Sequence, residues 1–177
     1  TVIVYNKPKG EIVSKKDPQG RKTIYDSLDH KYKHFLSVGR LDYASEGLLL
    51  LSDSVEIVDA LMHSDLERVY KIKVNGVITK PVEQAMQNGL EIEDATGGAF
   101  KTTKIKSMSF APFLAYDILT NSEKFSKIKV VISEGKNREL RRFFAHFGLD
   151  VLDLKRLEYG GISLNNLPTG KTRFLTK

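Results

Sequence analysis

The chain has no cysteine and no tryptophan, and only four of its 177 residues are histidine. Without cysteine there is no disulfide framework and no thiolate metal site, which fits a reducing compartment. His30, His34, His63 and His146 are scattered and lack ligand spacing, so no metal is expected. The longest leucine run, Leu48 to Leu51, is far too short to cross a bilayer. No signal-peptide pattern is evident, so the expected location is the cytoplasm and no membrane association is expected. Internal repeats and low-complexity linkers are also missing.

What is present is a globular composition: 41 % hydrophobic and 28 % charged residues, on a chain long enough to bury a real core. That length suits one large domain or two small ones. Lysine and arginine number 28 against 22 acids, a net charge of +6. Such an excess favours a polyanionic partner, because phosphate contacts release counterions; by itself it fits a simple solubility charge equally well.

Val2 to Asn6 reads as a strand that ends at the turn-former Pro8-Lys9-Gly10. Thr23 to Leu28 suits a short helix capped by Thr23, and Asp53 with Glu56 has capping-box spacing for the next. Val55, Val58, Leu61 and Met62 recur on one face of that helix. Val69 to Ile78 begins as a strand whose alternation sets Tyr70 with Ile72 and Val74, away from Lys71 and Lys73. Pro81 to Asn88 fits a helix ended by Gly89, residues 90–122 fit several short strands, and Lys127 to Ser133 fits another strand. Most strand connections are too short for crossover helices. The expected fold class is α+β, with a mixed, largely antiparallel central sheet flanked by helices and loops.

One carboxylate stands out. In Val38-Gly39-Arg40-Leu41-Asp42-Tyr43-Ala44-Ser45-Glu46-Gly47, followed by the leucine run, Asp42 sits on a turn-rich segment leading into a buried strand. An acid so placed is held by a rigid element yet reachable from a cleft, as a single catalytic nucleophile or acid must be. The plainer alternative is a surface loop in which Arg40 and Asp42 form an ion pair.

Gly39-Arg40-Leu41-Asp42 with Ser45 and Gly47 resembles the signature of the ribosomal RNA pseudouridine synthases. Three further segments agree in order: Asn6-Lys7-Pro8-Lys9-Gly10, Arg68-Val69-Tyr70-Lys71-Ile72-Lys73-Val74, and Glu134-Gly135-Lys136-Asn137-Arg138-Glu139-Leu140-Arg141-Arg142. The resemblance runs from near the first residue to about residue 165. It implies one continuous mixed sheet around a catalytic cleft, with residues 1–177 forming the catalytic domain. Only Thr1 to Tyr5 precede the first motif, so no small RNA-binding (S4-like) domain is expected ahead of it in this chain; many relatives carry one, which is here either absent by nature or cut away. The implied reaction breaks the bond from ribose to N1 of uracil, turns the base and rejoins it through C5. That chemistry needs no cofactor.

The resemblance also implies parts for single residues. Asp42 is the catalytic aspartate, as nucleophile or base. Tyr70 stacks on the flipped uracil and offers a hydroxyl near C5, where alternation alone favours a core tyrosine packed beside Ile72 and Val74. Arg141 is the arginine that pairs with the aspartate. If Arg138 to Phe147 is a helix capped by Asn137, then Leu140, Phe143, Phe144 and Phe147 form its apolar stripe. Arg141 then lies at the stripe's edge, where it can enter a cleft, while Arg138 and Arg142 face solvent and are candidates for RNA phosphates. Arg40 resembles the arginine that fills the gap left by a flipped base, Ile132 is a candidate floor of the uracil pocket, and Lys7 is expected to brace the catalytic loop or contact RNA. Two departures are noted: Arg68 stands where relatives often have lysine, and Glu139 where many have glutamine.

The resulting expectation is a cytoplasmic, monomeric RNA pseudouridine synthase without metal or cofactor. Its substrate would be a structured hairpin or bulge of ribosomal RNA, of the large subunit (23S) by the resemblance of Leu61-Met62-His63, Arg138-Glu139-Leu140-Arg141-Arg142 and the closing Arg156-Leu157-Glu158-Tyr159-Gly160-Gly161-Ile162-Ser163-Leu164. The alternatives are a small-subunit (16S) enzyme, a non-catalytic RNA-binding or ribosome-assembly module of the same fold, and a glycosidase-like hydrolase pairing Asp42 with Glu46.

Overall fold

A computed structural model describes residues 1–99, 103, 105–136 and 138–175. The expected cap Asn137 therefore lies outside the described residues. The chain divides into two compact units, Thr1–Leu66 with Lys155–Lys177, and Glu67–Leu154.

The first unit opens with β1 (Val2–Lys7), α1 (Ile24–Ser27), a 3-10 turn (His30–Tyr32), β2 (Leu36–Ser37), β3 (Glu46–Ser52) and α2 (Val55–Met62). The continuous apolar sequence of β3 follows from its place. β1 pairs with it antiparallel, Ile3 opposite Leu51 and Tyr5 opposite Leu49, and both faces of the pair are covered. Leu49 and Leu51 join Ile3, Tyr5, Ile24 and Phe35 in one core cluster. Leu48 and Leu50 join Val4, Val38, Val58 and Tyr159 in another. A strand buried on both sides has no polar face to alternate with.

α1 begins at Thr23 as expected, with the Asp26 carboxylate accepting from the Thr23 N–H at 2.9 Å. The cap of α2 is Ser54, whose hydroxyl accepts from the Ile57 N–H at 3.3 Å, one residue beyond the expected Asp53. The stripe on α2 is also rotated from expectation. Val58 is buried and Leu61 packs beside it, while Val55 is 66 % exposed. Val58 and Leu61 centre the buried side, leaving Val55 and Met62 at its edge.

The second unit holds β4 (Arg68–Val74), α3 (Lys80–Asn88), β5 (Leu90–Ile92), β6 (Met108–Phe110), β7 (Ala115–Asn121), β8 (Ser126–Ile132) and α4 (Glu139–His146). β8 pairs antiparallel with β4 on one side and β7 on the other, and β5 and β6 form a separate ribbon. One face of this sheet carries Tyr70, Ile72, Val74, Ile128, Val130 and Ile132 into a core with α3 and α4. α3 starts with proline in its first turn and stops at Gly89, which has φ +84°, as its sequence predicts.

The chain closes with β9 (Val151–Tyr159), β10 (Ile162–Ser163) and β11 (Thr172–Phe174). Within the first unit the strand order is β11-β1-β3-β9, and β3 meets the end of β9 in parallel, Gly47 opposite Arg156. Gly47 has φ +110°, and a Cβ there would stand 2.2 Å from the Arg156 carbonyl oxygen. Only glycine allows that approach. The fold is α+β with a largely antiparallel sheet, as expected.

Candidate active site

Asp42 is built into the first unit from below. Val38 and Leu41 are buried and anchor the segment that carries Arg40 and Asp42. The chain then turns, with the Ser45 N–H donating to the Asp42 carbonyl at 3.0 Å, and enters β3. Under this turn lies Lys7, wholly buried at the end of β1. Its ammonium donates to the carbonyls of Ser45 at 2.7 Å, Pro8 at 2.9 Å and Asp42 at 3.1 Å. Two of these acceptors lie on the Asp42 loop and the third is the neighbouring Pro8 carbonyl. Burial pushes the Lys7 pKa down to about 8, while the nearby carboxylates of Glu11, Asp42 and Glu46 act to raise it. The group is thus charged at neutral pH. The structure gives Lys7 the bracing part and removes it from any surface that RNA could touch.

The Asp42 side chain stays half-buried, at the rim of this braced turn. Arg40 is exposed and, among the described residues, makes no hydrogen bond or ion pair. The Arg40–Asp42 surface pair is therefore not found. Glu46 is paired with Lys9 at 3.7 Å.

The second unit places the other candidates. Tyr70 is 8 % exposed, opposite Val130, on the face shared with Ile72 and Val74, as alternation predicts. Ile132 belongs to the same core and lies opposite Arg68, whose guanidinium donates to the Ser133 carbonyl at 3.0 Å. Arg141 lies half-buried in the first turn of α4. Arg138 precedes the helix in a left-handed conformation, φ +47°, and its Nε donates to the Gly98 carbonyl at 2.6 Å.

Arg142 corrects the expectation of a solvent-facing, phosphate-binding side chain. It is 0 % exposed, and its guanidinium donates to the carbonyls of Ile105 at 2.6 Å and Ala95 at 3.3 Å, and to the Thr103 hydroxyl at 2.9 Å. The cause is a segment that covers the helix face opposite the aromatic stripe. Gly98 lies so close that a Cβ would stand 2.5 Å from the Arg141 carbonyl oxygen, and one at Gly97 would stand 3.2 Å from the Ala145 Cβ. Thr96-Gly97-Gly98 is a turn lying against the α4 backbone, and Arg142 ties the chain around it to the helix.

Sequence reasoning missed two buried acids. Glu11 accepts from the Tyr5 hydroxyl at 2.6 Å and contributes to the field at Lys7. Glu139 is 5 % exposed, and its carboxyl accepts from the Lys136 N–H at 3.2 Å. Burial, and next the hydrogen bond and charge of Glu134, push its pKa up to about 8. Burial beside Glu134 thus favours the protonated form of Glu139, which no local pattern announces.

The motif positions carry the same assignment as the comparison with known proteins. A family profile described as RNA pseudouridylate synthase matches residues 1–146, and the chain belongs to that family. It is 60 % identical, over all of its length and 68 % of the relative's, to an uncharacterized RNA pseudouridine synthase of Helicobacter pylori. It is 34 % identical to the ribosomal large subunit pseudouridine synthase B of Bacillus subtilis, over 96 % of this chain and 66 % of that one. A crystal structure of a pseudouridylate synthase superposes with a TM-score of 0.78 at 26 % identity, covering 99 % of this chain and 70 % of the other. The protein is a pseudouridine synthase, an RNA-modifying isomerase.

Proposed function

We propose that this enzyme isomerises uridine in large-subunit ribosomal RNA, with Asp42 as the reacting carboxylate on a base drawn out of its helix. The observation that carries the reading is the grip of Lys7 on the Asp42 turn. A buried ammonium ties the Asp42 and Ser45 carbonyls to the end of β1, so the backbone beneath Asp42 is fixed while its side chain stays half-buried. A reacting group held by a rigid support reaches its near-attack geometry without ordering cost. The exposed guanidinium of Arg40, without a partner among the described residues, is suited to the space a flipped base leaves, where it would offset part of the few kcal/mol that flipping costs. Tyr70 and Arg141 keep the parts that the motif resemblance gives them, as aromatic and cation of the same reaction. Both units belong to the catalytic domain. Relatives named for the large ribosomal subunit support the substrate class, and a ribosomal RNA substrate in a bacterial cell implies the cytoplasm.

The test is Asp42→Asn. Mapping pseudouridine in ribosomal RNA from cells with the wild-type protein, with the variant and with neither should show one or more large-subunit sites present only with the wild type. The purified variant should bind RNA normally, because only the reacting charge is lost. Near-normal turnover by the variant would overturn the part given to Asp42, and a site in small-subunit RNA would overturn the substrate.

A further inference from the structure

The solvent face of the second unit's sheet has an unusual charge pattern. Lys71 on β4 lies directly opposite Lys129 on β8, and Lys73 lies directly opposite Lys127 in the next rung of the same face. Cβ atoms of directly opposed residues are about 5 Å apart, and like charges so placed destabilise a sheet. Four ammonium groups thus share two adjacent rungs. On the far side of β8, Lys129 faces Asp117 and Lys127 faces Thr120, so one acid borders the group on that side. Among the described residues none of the four lysines forms an ion pair, with Asp117 or any other acid. Lys73 and Lys127 stand over the ring of Phe125 at 4.7 and 5.7 Å from its centroid, an aromatic set into the same patch. Lys71 and Lys129 are exposed, and Lys73 and Lys127 half-buried.

A purely structural sheet face would place opposite charges or threonines across from one another. Opposed lysines without counter-ions are costly alone and become favourable when a polyanion lies across them. We propose that this face is a docking surface for the phosphate backbone of the RNA substrate, clamping a segment of the chain that flanks the target uridine. The contacts are to phosphates, so they position RNA without reading its sequence. The inference rests on the RNA substrate reading above, and adds a surface that none of the four motifs points to as an RNA contact.

The experiment uses the full chain and a structured hairpin of large-subunit ribosomal RNA, with binding measured over a salt series. The quadruple variant Lys71→Gln, Lys73→Gln, Lys127→Gln, Lys129→Gln is compared with one that neutralises Lys16, Lys31, Lys80 and Lys171, also exposed. The sheet-face variant should bind about tenfold or more weaker at low salt, and the slope of log affinity against log salt should flatten by about 3. The other variant should lose much less. In turnover, KM should rise while kcat on saturating RNA holds. Thermal unfolding should show the sheet-face variant at least as stable as the wild type, because like-charge repulsion is relieved. Equal losses in both variants, or an unchanged salt slope, would overturn the proposal. So would loss of binding to anionic vesicles, or to an acidic protein, with RNA binding intact. A wild type that neither binds nor modifies RNA would instead overturn the substrate reading.

Discussion

Glu139→Gln isolates one proton in the arginine-rich segment. In the wild type Glu139 is buried beside Glu134, and its folded pKa of about 8 stands above the ordinary 4.5. Between these values the native protein holds one proton more than the unfolded chain. The stability that Glu139 contributes is therefore complete below about 4.5, falls as pH rises through the window, and levels off above about 8. One proton gives a slope of about 1.4 kcal/mol per pH unit. Glutamine offers an amide that donates to Glu134 and a carbonyl that accepts from the Lys136 N–H, at any pH. The variant lacks the slope. Its stability relative to wild type should thus rise by about 1.4 kcal/mol per unit from about pH 5 to about pH 8, reaching a few kcal/mol. Lys7, whose pKa is lowered to about 8, begins to titrate only at the top of this range, and equally in both proteins. Urea unfolding at constant ionic strength measures the difference. Parallel curves for the two proteins across the window, or a variant less stable at pH 8, would refute the shared proton between Glu139 and Glu134.

Arg142→Met should destabilise the protein by about 3–5 kcal/mol, since Ala95, Ile105 and Thr103 would lose their donor under cover; thermal unfolding checks it. Arg141→Met should instead lower turnover with a smaller loss of stability, and the opposite ranking would show that the wrong arginine has been assigned to chemistry. Gly47→Ala should cost about 3 kcal/mol or more, because a Cβ collides with the Arg156 backbone at a positive φ; chemical denaturation reads this, and a neutral result would contradict the close β3–β9 approach.

The sequence alone determined what depends on neighbours along the chain. The apolar run made β3 a strand covered on both faces, because a polar face would have interrupted it. Period-two alternation set Tyr70 with Ile72 and Val74, and proline and glycine fixed the ends of α3. The four motifs, in order, identified the family. Tertiary structure decided what lies over each face. Arg142 sits on the side of α4 that helical spacing assigns to solvent, and it is buried because a Gly-Gly turn about 45 residues earlier in the chain rests on that side. The resemblance left Lys7 to brace the catalytic loop or to contact RNA, and the fold buries it and brings three carbonyls from two segments onto its ammonium. Glu139 looks like a helix-start acid, but burial beside Glu134 raises its pKa well above the usual carboxylate range. The two opposed lysine rungs exist only because the β4–β8 register puts Lys71 against Lys129 rather than one residue along. Periodicity specifies which residues share a face; a long polar side chain takes its role from whatever the rest of the chain brings within its reach.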